Sequence, residues 1–146
     1  MIVKNLRESR EILNLKQIDI ARRINAHYST VSGWETEKDI IPLKRLITYA
    51  NTFEYSLDYL FGIMNTNNYQ EIILDIETLS DNLLNLRNKN KMTQESVAKK
   101  LSISTGTYCD YENGRELIST RSLYFLTKIY KPFSIDKLFQ NKQNKK

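Results

Sequence analysis

Residues 16–35 read KQIDIARRINAHYSTVSGWE, and residues 93–115 read TQESVAKKLSISTGTYCDYENGR. The two stretches coincide when the sequence is shifted against itself by 77 positions, and the match extends beyond them. Identical pairs at this shift are Leu6 and Leu83, Arg10 and Arg87, Gln17 and Gln94, Ala21 and Ala98, Thr30 and Thr107, Glu35 and Glu112, and Leu46 and Leu123. A unit of about 60 residues therefore occurs twice, near 2–63 and 79–140. Since two copies are too few for a solenoid, we expect two tandem domains.

Apolar residues recur at helical spacing in both units, and the sequence has no alternating strand pattern of useful length. The predicted helices span 2–13, 17–24, 28–36, 43–52 and 56–61 in the first unit, and 71–89, 94–101, 105–113, 120–130 and 134–139 in the second. The sequence thus predicts an all-α protein with two five-helix domains, at 1–64 and 71–140. The polar stretch MNTNNYQ (64–70) is interpreted as a linker, and residues 141–146 as a basic tail.

Hydropathy and cysteine usage indicate where the chain resides. The longest apolar run, at residues 59–64, is far shorter than the roughly 20 residues that a membrane span requires. The first residues are charged from Lys4 onward and contain no apolar segment of signal-peptide length. A single cysteine, Cys109, fits a reducing compartment. We therefore expect a cytoplasmic protein that does not enter a membrane.

The positive charge is concentrated at the C-terminal end. The net charge is +5, but residues 1–66 hold nine Lys/Arg against eight Asp/Glu, and residues 67–136 hold nine against nine. The last ten residues hold four Lys and no acid. Overall charge therefore gives only weak support for a polyanionic partner, because the two units themselves are close to neutral.

The residues that usually carry chemistry are too few and too scattered for an enzyme. His27 is the only histidine and Cys109 the only cysteine, which cannot supply a zinc site of ordinary ligands. No nucleophile, base and orienting acid are arranged around His27, whose position at the start of a predicted helix suggests a cap. The sequence also contains no phosphate-binding glycine loop. We expect no metal, no cofactor and no enzymatic activity.

The two quoted stretches resemble the Cro/cI-like helix-turn-helix family, also called the xenobiotic-response-element family. In both, a Gln opens the second helix, an Ala follows four residues later, an apolar residue comes three after the Ala, and a Glu closes the third helix. The resemblance covers nearly the whole chain, twice in register. It implies two lambda-repressor-like domains, in each of which the second helix crosses the phosphate backbone and the third enters the major groove.

Some matching positions are expected to be structural. A close crossing of the second and third helices needs a small side chain, which Ala21 and Ala98 supply. Two pairs resemble the partly buried ion pair by which this family ties its first helix to its third, and we expect them to fix geometry rather than touch DNA: Arg10 with Glu35, and Arg87 with Glu112.

Other matching positions are expected to contact DNA. The resemblance places Gln17 and Gln94 near phosphate, and Lys38 and Arg115 just beyond the third helices. The remaining candidates for cap, phosphate and groove contacts are His27, Tyr28, Ser29, Thr30 and Ser32 in the first unit, and Ser104, Thr105, Thr107 and Asp110 in the second.

The sequence departs from the family pattern at several of these positions. Asn25 and Ser102 occupy the turn position where the family usually has Gly. Neither recognition helix carries Gln, Asn or Arg at a groove-facing position, so we expect few direct contacts that discriminate between bases. Asp110 faces the expected ligand with a carboxylate. It either accepts a hydrogen bond from a cytosine amino group or is a solvated surface residue.

The leading hypothesis is a sequence-specific regulator that binds double-stranded DNA, a repressor of a phage or mobile-element locus. One chain carries two recognition helices and can cover two half-sites itself, or the predicted helix 71–89 can pair two chains in a homodimer. The alternative is a protein-interaction module, an antirepressor or sensor that binds a regulatory protein with one or both domains. Near-neutral domains and Asp110 favour that alternative.

Overall fold

The computed structural model describes residues 1–131 and 133–141. Its contacts divide the chain into two units, Met1–Glu71 and Ile72–Lys146. All regular secondary structure in the described residues is helical, as expected for the all-α class. The predicted basic tail, 141–146, lies outside the described residues except for Asn141.

The first unit contains five α-helices, as the sequence predicts. They are α1 (Leu6–Ile12), α2 (Gln17–Arg23), α3 (Tyr28–Thr36), α4 (Leu43–Phe53) and α5 (Leu57–Leu60). The predicted start of the first helix at residue 2 is wrong, because α1 begins at Leu6. Residues 2 and 3 are instead held by Glu37, whose carboxylate accepts hydrogen bonds from the backbone N–H groups of Ile2 and Val3 at 2.8–2.9 Å.

The second unit repeats this order with four α-helices and a 3-10 helix. They are α6 (Ile76–Lys89), α7 (Gln94–Leu101), α8 (Thr105–Glu112), α9 (Thr120–Ile129) and the 3-10 helix Asp136–Phe139. The predicted start of α6 at residue 71 is wrong, because residues 71–75 are not helical. Asp75 caps α6 by accepting a hydrogen bond from the Glu77 N–H. With 14 residues, α6 is still twice as long as the seven-residue α1.

Hydroxyl side chains fix where four of these helices begin. Ser or Thr hydroxyls accept a hydrogen bond from the backbone N–H three residues later, which satisfies one of the free donors at the helix start. The caps of this kind are Ser56, Thr93, Ser104 and Ser119. The predicted cap at Thr93 is confirmed.

Left-handed backbone positions recur at the same shift of 77 residues. Asn14 and Lys91 have φ of 55° and 54°, and Asn25 and Ser102 have 55° and 58°. The position after the third helix is Glu37 at 56° in one unit and Gly114 at 72° in the other. Because non-glycine residues rarely adopt this conformation, its repetition indicates that the two units share turn geometry as well as helices.

The segment predicted as a linker is partly bound to the first unit. The Asn67 side chain accepts a hydrogen bond from the Ser56 N–H at 2.7 Å and donates one to the Glu54 carbonyl at 2.9 Å. The Tyr69 hydroxyl donates to the Asn51 side chain at 3.1 Å. These contacts place residues 67–69 within the Met1–Glu71 unit. None of the helices in the described part of the chain has the length and apolarity needed to cross a lipid bilayer.

Candidate nucleic-acid interface

In each unit, two helices joined by a short turn pack closely against each other. Ala21 on α2 and Ala98 on α7 are 2% and 1% exposed, as expected for small residues at a helix crossing. The turn begins with the left-handed Asn25 or Ser102, and the next N–H returns to the alanine carbonyl at 2.8 or 3.1 Å. This turn sets the direction in which α3 and α8 leave the pair.

The expected ion pairs are present and have matching geometry. Arg10 donates from Nε and Nη2 to the two carboxylate oxygens of Glu35, at 2.6 and 2.9 Å. Arg87 donates in the same way to Glu112, at 2.7 and 3.0 Å. The remaining Nη1 of each arginine donates to a carbonyl at 2.9 Å, that of Leu15 or Met92. Each pair thus joins the first helix, the loop after it and the third helix.

Gln17 and Gln94, which were expected near phosphate, join these ion pairs. Their Nε2 atoms donate to Glu35 and Glu112, each at 3.0 Å. The Gln94 amide oxygen also accepts from the thiol of Cys109 at 3.0 Å. A primary amide has two N–H donors, so each glutamine keeps a second donor with its plane fixed by the glutamate.

Electrostatics keeps the second ion pair charged. Burial disfavours the ionised form of Glu112, but hydrogen bonds from Arg87, Tyr108 and Gln94 outweigh it and hold the pKa of the carboxyl below its usual value. Burial, followed by the hydrogen bond to Glu112, raises the pKa of the Tyr108 hydroxyl. The pKa of the Arg87 guanidinium is raised first by its hydrogen bond to Glu112. At neutral pH the pair is therefore fully ionised.

The predicted groove-facing residues of α3 lie on its open side. Tyr28 is 55% exposed, Ser29 and Thr30 are exposed, and Ser32 is half-buried. His27 occupies the N-cap position, as predicted, but its side chain makes no capping hydrogen bond. These residues give the start of α3 a surface of hydroxyls, one imidazole and one phenol ring.

The corresponding face of α8 also carries hydroxyl groups, but it includes a carboxylate. Ser104 caps the helix by accepting from the Thr107 N–H at 3.0 Å, and its hydroxyl donates to the Thr107 hydroxyl at 2.9 Å. Thr105 is exposed at the start of the helix. Asp110 is half-buried, and its carboxylate lies 3.7 Å from the Arg115 guanidinium. The two predicted contact residues Asp110 and Arg115 thus partly neutralise each other.

Comparison with known proteins identifies this arrangement. A family model described as helix-turn-helix matches the chain twice, at residues 6–60 and 83–138. The chain belongs to the Cro/cI-type helix-turn-helix family. Searches of curated proteins and of solved structures gave no match. Members of this family are DNA-binding proteins of the transcription-regulator type, and the expected two tandem copies are confirmed.

Cations of the two helix-turn-helix units flank the recognition helices. Neither α3 nor α8 contains Lys or Arg. Exposed basic residues instead lie at the end of the preceding helix and just after the recognition helix: Arg22, Arg23 and Lys38 in one unit, and Lys99, Lys100 and Arg115 in the other. In the described part of the chain, no group of three or more His, Cys, Asp or Glu could hold a metal ion.

One arginine in each unit was missed by the sequence comparison. Arg45 donates to the Asn25 carbonyl at 3.1 Å, and Arg121 donates to the Leu101 carbonyl at 3.0 Å. Both bonds satisfy a free carbonyl at the end of the second helix. The shift of 77 pairs Arg45 with Ser122 and Lys44 with Arg121, so the shared role is hidden in the aligned sequence.

Proposed function

We propose that this protein is a sequence-specific, double-stranded DNA-binding transcriptional regulator that places α3 and α8 in major grooves. The observation that carries the proposal is the repeated bracing of these helices. In each unit an arginine, a glutamine and a glutamate at corresponding positions fix the inner side of the recognition helix. The outer side of that helix is exposed. A rigid helix with an open polar face is what groove insertion requires.

Phosphate contacts come from residues beside the helices. Gln17 and Gln94, at the start of the second helix, each have one amide N–H that the glutamate does not use. Lys38 and Arg115 follow the recognition helices and are exposed. His27 and Ser104 at the N-caps, with Thr30 and Thr107, supply further polar groups. Such contacts position the protein and make its affinity depend on salt.

Base contacts come from the open face of each helix. Tyr28, Ser29 and Ser32 present hydroxyls on α3, and Thr105 presents one on α8. Hydroxyl groups hydrogen-bond several bases with little discrimination, unlike the bidentate pairs made by Arg, Asn and Gln. We therefore propose that phosphate contacts supply most of the affinity.

In this proposal the protein represses transcription by occupying its DNA site. A protein that covers a promoter with two DNA-binding units blocks transcription without a catalytic step. The abundance of Asn, Ile and Lys in the sequence is typical of low-GC coding regions. This composition is compatible with a low-GC bacterial or phage source, and we propose a phage or mobile element as the regulated locus.

Selection of bound sites from a random DNA library tests the proposal with the full chain. The expected result is an enriched sequence, with an affinity for it that falls steeply between about 50 and 200 mM salt. The mass of the purified protein on that site, measured by sedimentation, distinguishes one chain from a homodimer. A selected pool with the same sequence composition as the input library would contradict the proposal. So would an affinity that does not change with salt.

A protein-interaction module is the second candidate, and the charge of α8 favours it. That helix carries Asp110 and no cation, and Asp110 lies beside Arg115. In this reading the second unit binds a regulatory protein, as an antirepressor or sensor does. It predicts that the selected DNA site spans one helix-turn-helix half-site and that Arg115→Ala leaves DNA affinity unchanged.

A further inference from the structure

One position on the recognition helix is a glycine in the first unit and an aspartate in the second, and a loop residue supplies the carboxylate that the glycine lacks. Gly33 of α3 corresponds to Asp110 of α8 at the shift of 77. If Gly33 had a Cβ atom, the nearest atom from another part of the unit would be Oδ2 of Asp39, at 3.5 Å. Asp110 carries its own carboxylate on that Cβ. Both units therefore place carboxylate oxygens beside the same point of the recognition helix.

The chain reversal after the helix brings Asp39 to this point. The Asp39 N–H donates to the Gly33 carbonyl at 3.3 Å, and the Glu116 N–H donates to the Asp110 carbonyl at the same distance. The backbone course is thus equivalent in both units. In the first unit the acid comes from the loop and the helix position is glycine; in the second the helix position supplies the acid.

In the second unit a cation lies beside the carboxylate, and in the first an exposed lysine, Lys38, directly precedes Asp39 in the sequence. Arg115 lies 3.7 Å from Asp110, with its side chain 73% exposed and that of Asp110 41% exposed. A pair this long and this exposed contributes little to stability. Arg115 lowers the repulsion between Asp110 and DNA phosphates without enclosing the carboxylate oxygens.

A carboxylate only accepts hydrogen bonds, and this limits what it can read in the major groove. The donors there are the amino groups of cytosine and adenine. Adenine also presents its N7 acceptor beside the amino group, which repels a carboxylate, so cytosine is the better partner.

We propose that Asp39 and Asp110 are equivalent specificity-determining residues, each accepting a hydrogen bond from a cytosine amino group. The inference rests on the proposed DNA-binding function and adds to it a shared base preference. The sites bound by the two units should each contain a C·G pair at the corresponding position, although the two acids lie at different places in the sequence.

Site selection with the full-length variants Asp39→Asn, Asp110→Asn and the double variant tests this. Asparagine pairs with adenine through its amide, so each single variant should replace C·G by A·T at one position in one half of the site. Affinity for the original site should fall about tenfold, which is within the range for one good base contact. Asp81→Asn, an exposed acid on α6, is the control and should select the wild-type sequence.

The outcomes separate this inference from the function on which it rests. If wild-type protein enriches no sequence, both fail. If wild-type enriches a site and the aspartate variants enrich the same one, DNA binding stands and the cytosine contact is refuted. An equal gain in the variants' affinity for all DNA sequences would also refute the cytosine contact, because it would mean that the carboxylates only repel phosphate. Circular dichroism of each variant confirms that these partly exposed substitutions leave the helices intact.

Discussion

Arg87 holds both carboxylate oxygens of Glu112, at 2.7 and 3.0 Å, with the Glu112 side chain 2% and the Arg87 side chain 13% exposed. Arg10 and Glu35 make the same contact in the first unit, at 2.6 and 2.9 Å. In both units the pair connects the first helix to the end of the recognition helix. Because a bidentate pair allows little rotation, it fixes the angle at which the recognition helix is presented.

Glu35→Gln should destabilise the first unit by about 3 kcal/mol, since it leaves the Arg10 guanidinium without its counter-charge in a buried site. The single tryptophan, Trp34, is buried in this unit, so its fluorescence during urea denaturation reports the loss directly. Glu11→Gln removes the exposed partner of Arg7 and should cost at most about 0.5 kcal/mol. An equally small loss of unfolding free energy in the two variants would show that the buried pair has no structural role.

Acid should weaken the second unit through Glu112. The pKa of this carboxyl is lowered by folding, so the unfolded chain takes up the proton first as pH falls from about 4.5. The stabilisation is complete above that pH and is lost progressively below it. Hydrogen–deuterium exchange of the α7 and α8 amides, expressed as protection relative to the intrinsic exchange rate at each pH, should therefore fall with acid in wild-type protein. Glu112→Gln should exchange faster at neutral pH, and its difference from wild type should shrink as pH falls; a constant difference would contradict the assignment.

Two glycines of the first unit should respond in opposite directions to alanine. Gly33 is within α3, where an added Cβ has only an ordinary contact at 3.5 Å, so Gly33→Ala should stabilise the unit by about 0.5 kcal/mol. Gly62 has a φ of 77°, and an added Cβ would lie 3.0 Å from the Lys4 side chain. Gly62→Ala should therefore destabilise it by about 1 kcal/mol. Trp34 fluorescence measures both, and a gain in stability for Gly62→Ala would be inconsistent with the left-handed conformation.

The sequence predicted what depends on repetition and local chemistry. The bounds of α2, α3, α7 and α8 lie within one residue of the predicted ones. The shift of 77 showed that the charged residues of the two ion pairs recur in register, and the family resemblance implied how they pair. Asn25 and Ser102 adopt positive φ because the turn position is set by the spacing of the helices around it.

Contacts between distant parts of the sequence were not predictable. Apolar spacing extended α6 back to residue 71, although Asp75 caps the helix and the chain before it is not helical. Nothing in the sequence connects Glu37 with the N–H groups of Ile2 and Val3. The nearness of Asp39 to Gly33 likewise depends on the path of a loop, which periodicity does not describe. Which residues touch DNA remains a prediction.

Lys38→Ala and Arg115→Ala should each weaken DNA binding almost uniformly across sequences. Each removes one exposed cation beside a recognition helix, so the slope of log affinity against log salt should become shallower by about 1. Lys128→Ala removes an exposed cation from α9 and serves as the control. An unchanged slope in Arg115→Ala alone would exclude phosphate contact by Arg115.

Placing a negative charge on each recognition helix shows whether α3 and α8 both enter DNA. Ser29 and Gly106 correspond at the shift of 77 and are both exposed, and a Cβ at Gly106 would make only an ordinary contact, 3.9 Å from the Ser104 hydroxyl. Glutamate in the first turn is also compatible with the helix dipole. Thr48→Glu and Asn85→Glu add the same charge at exposed positions on α4 and α6 as controls.

Affinity of the full chain for its selected site is the quantity to measure, at about 0.1 M salt. Ser29→Glu and Gly106→Glu should each weaken binding by about tenfold or more, and the double variant should lose the site-specific component, while both controls bind within about threefold of wild type. Wild-type affinity in the double variant would contradict the account, and wild-type affinity in Gly106→Glu alone would remove the second unit from the interface.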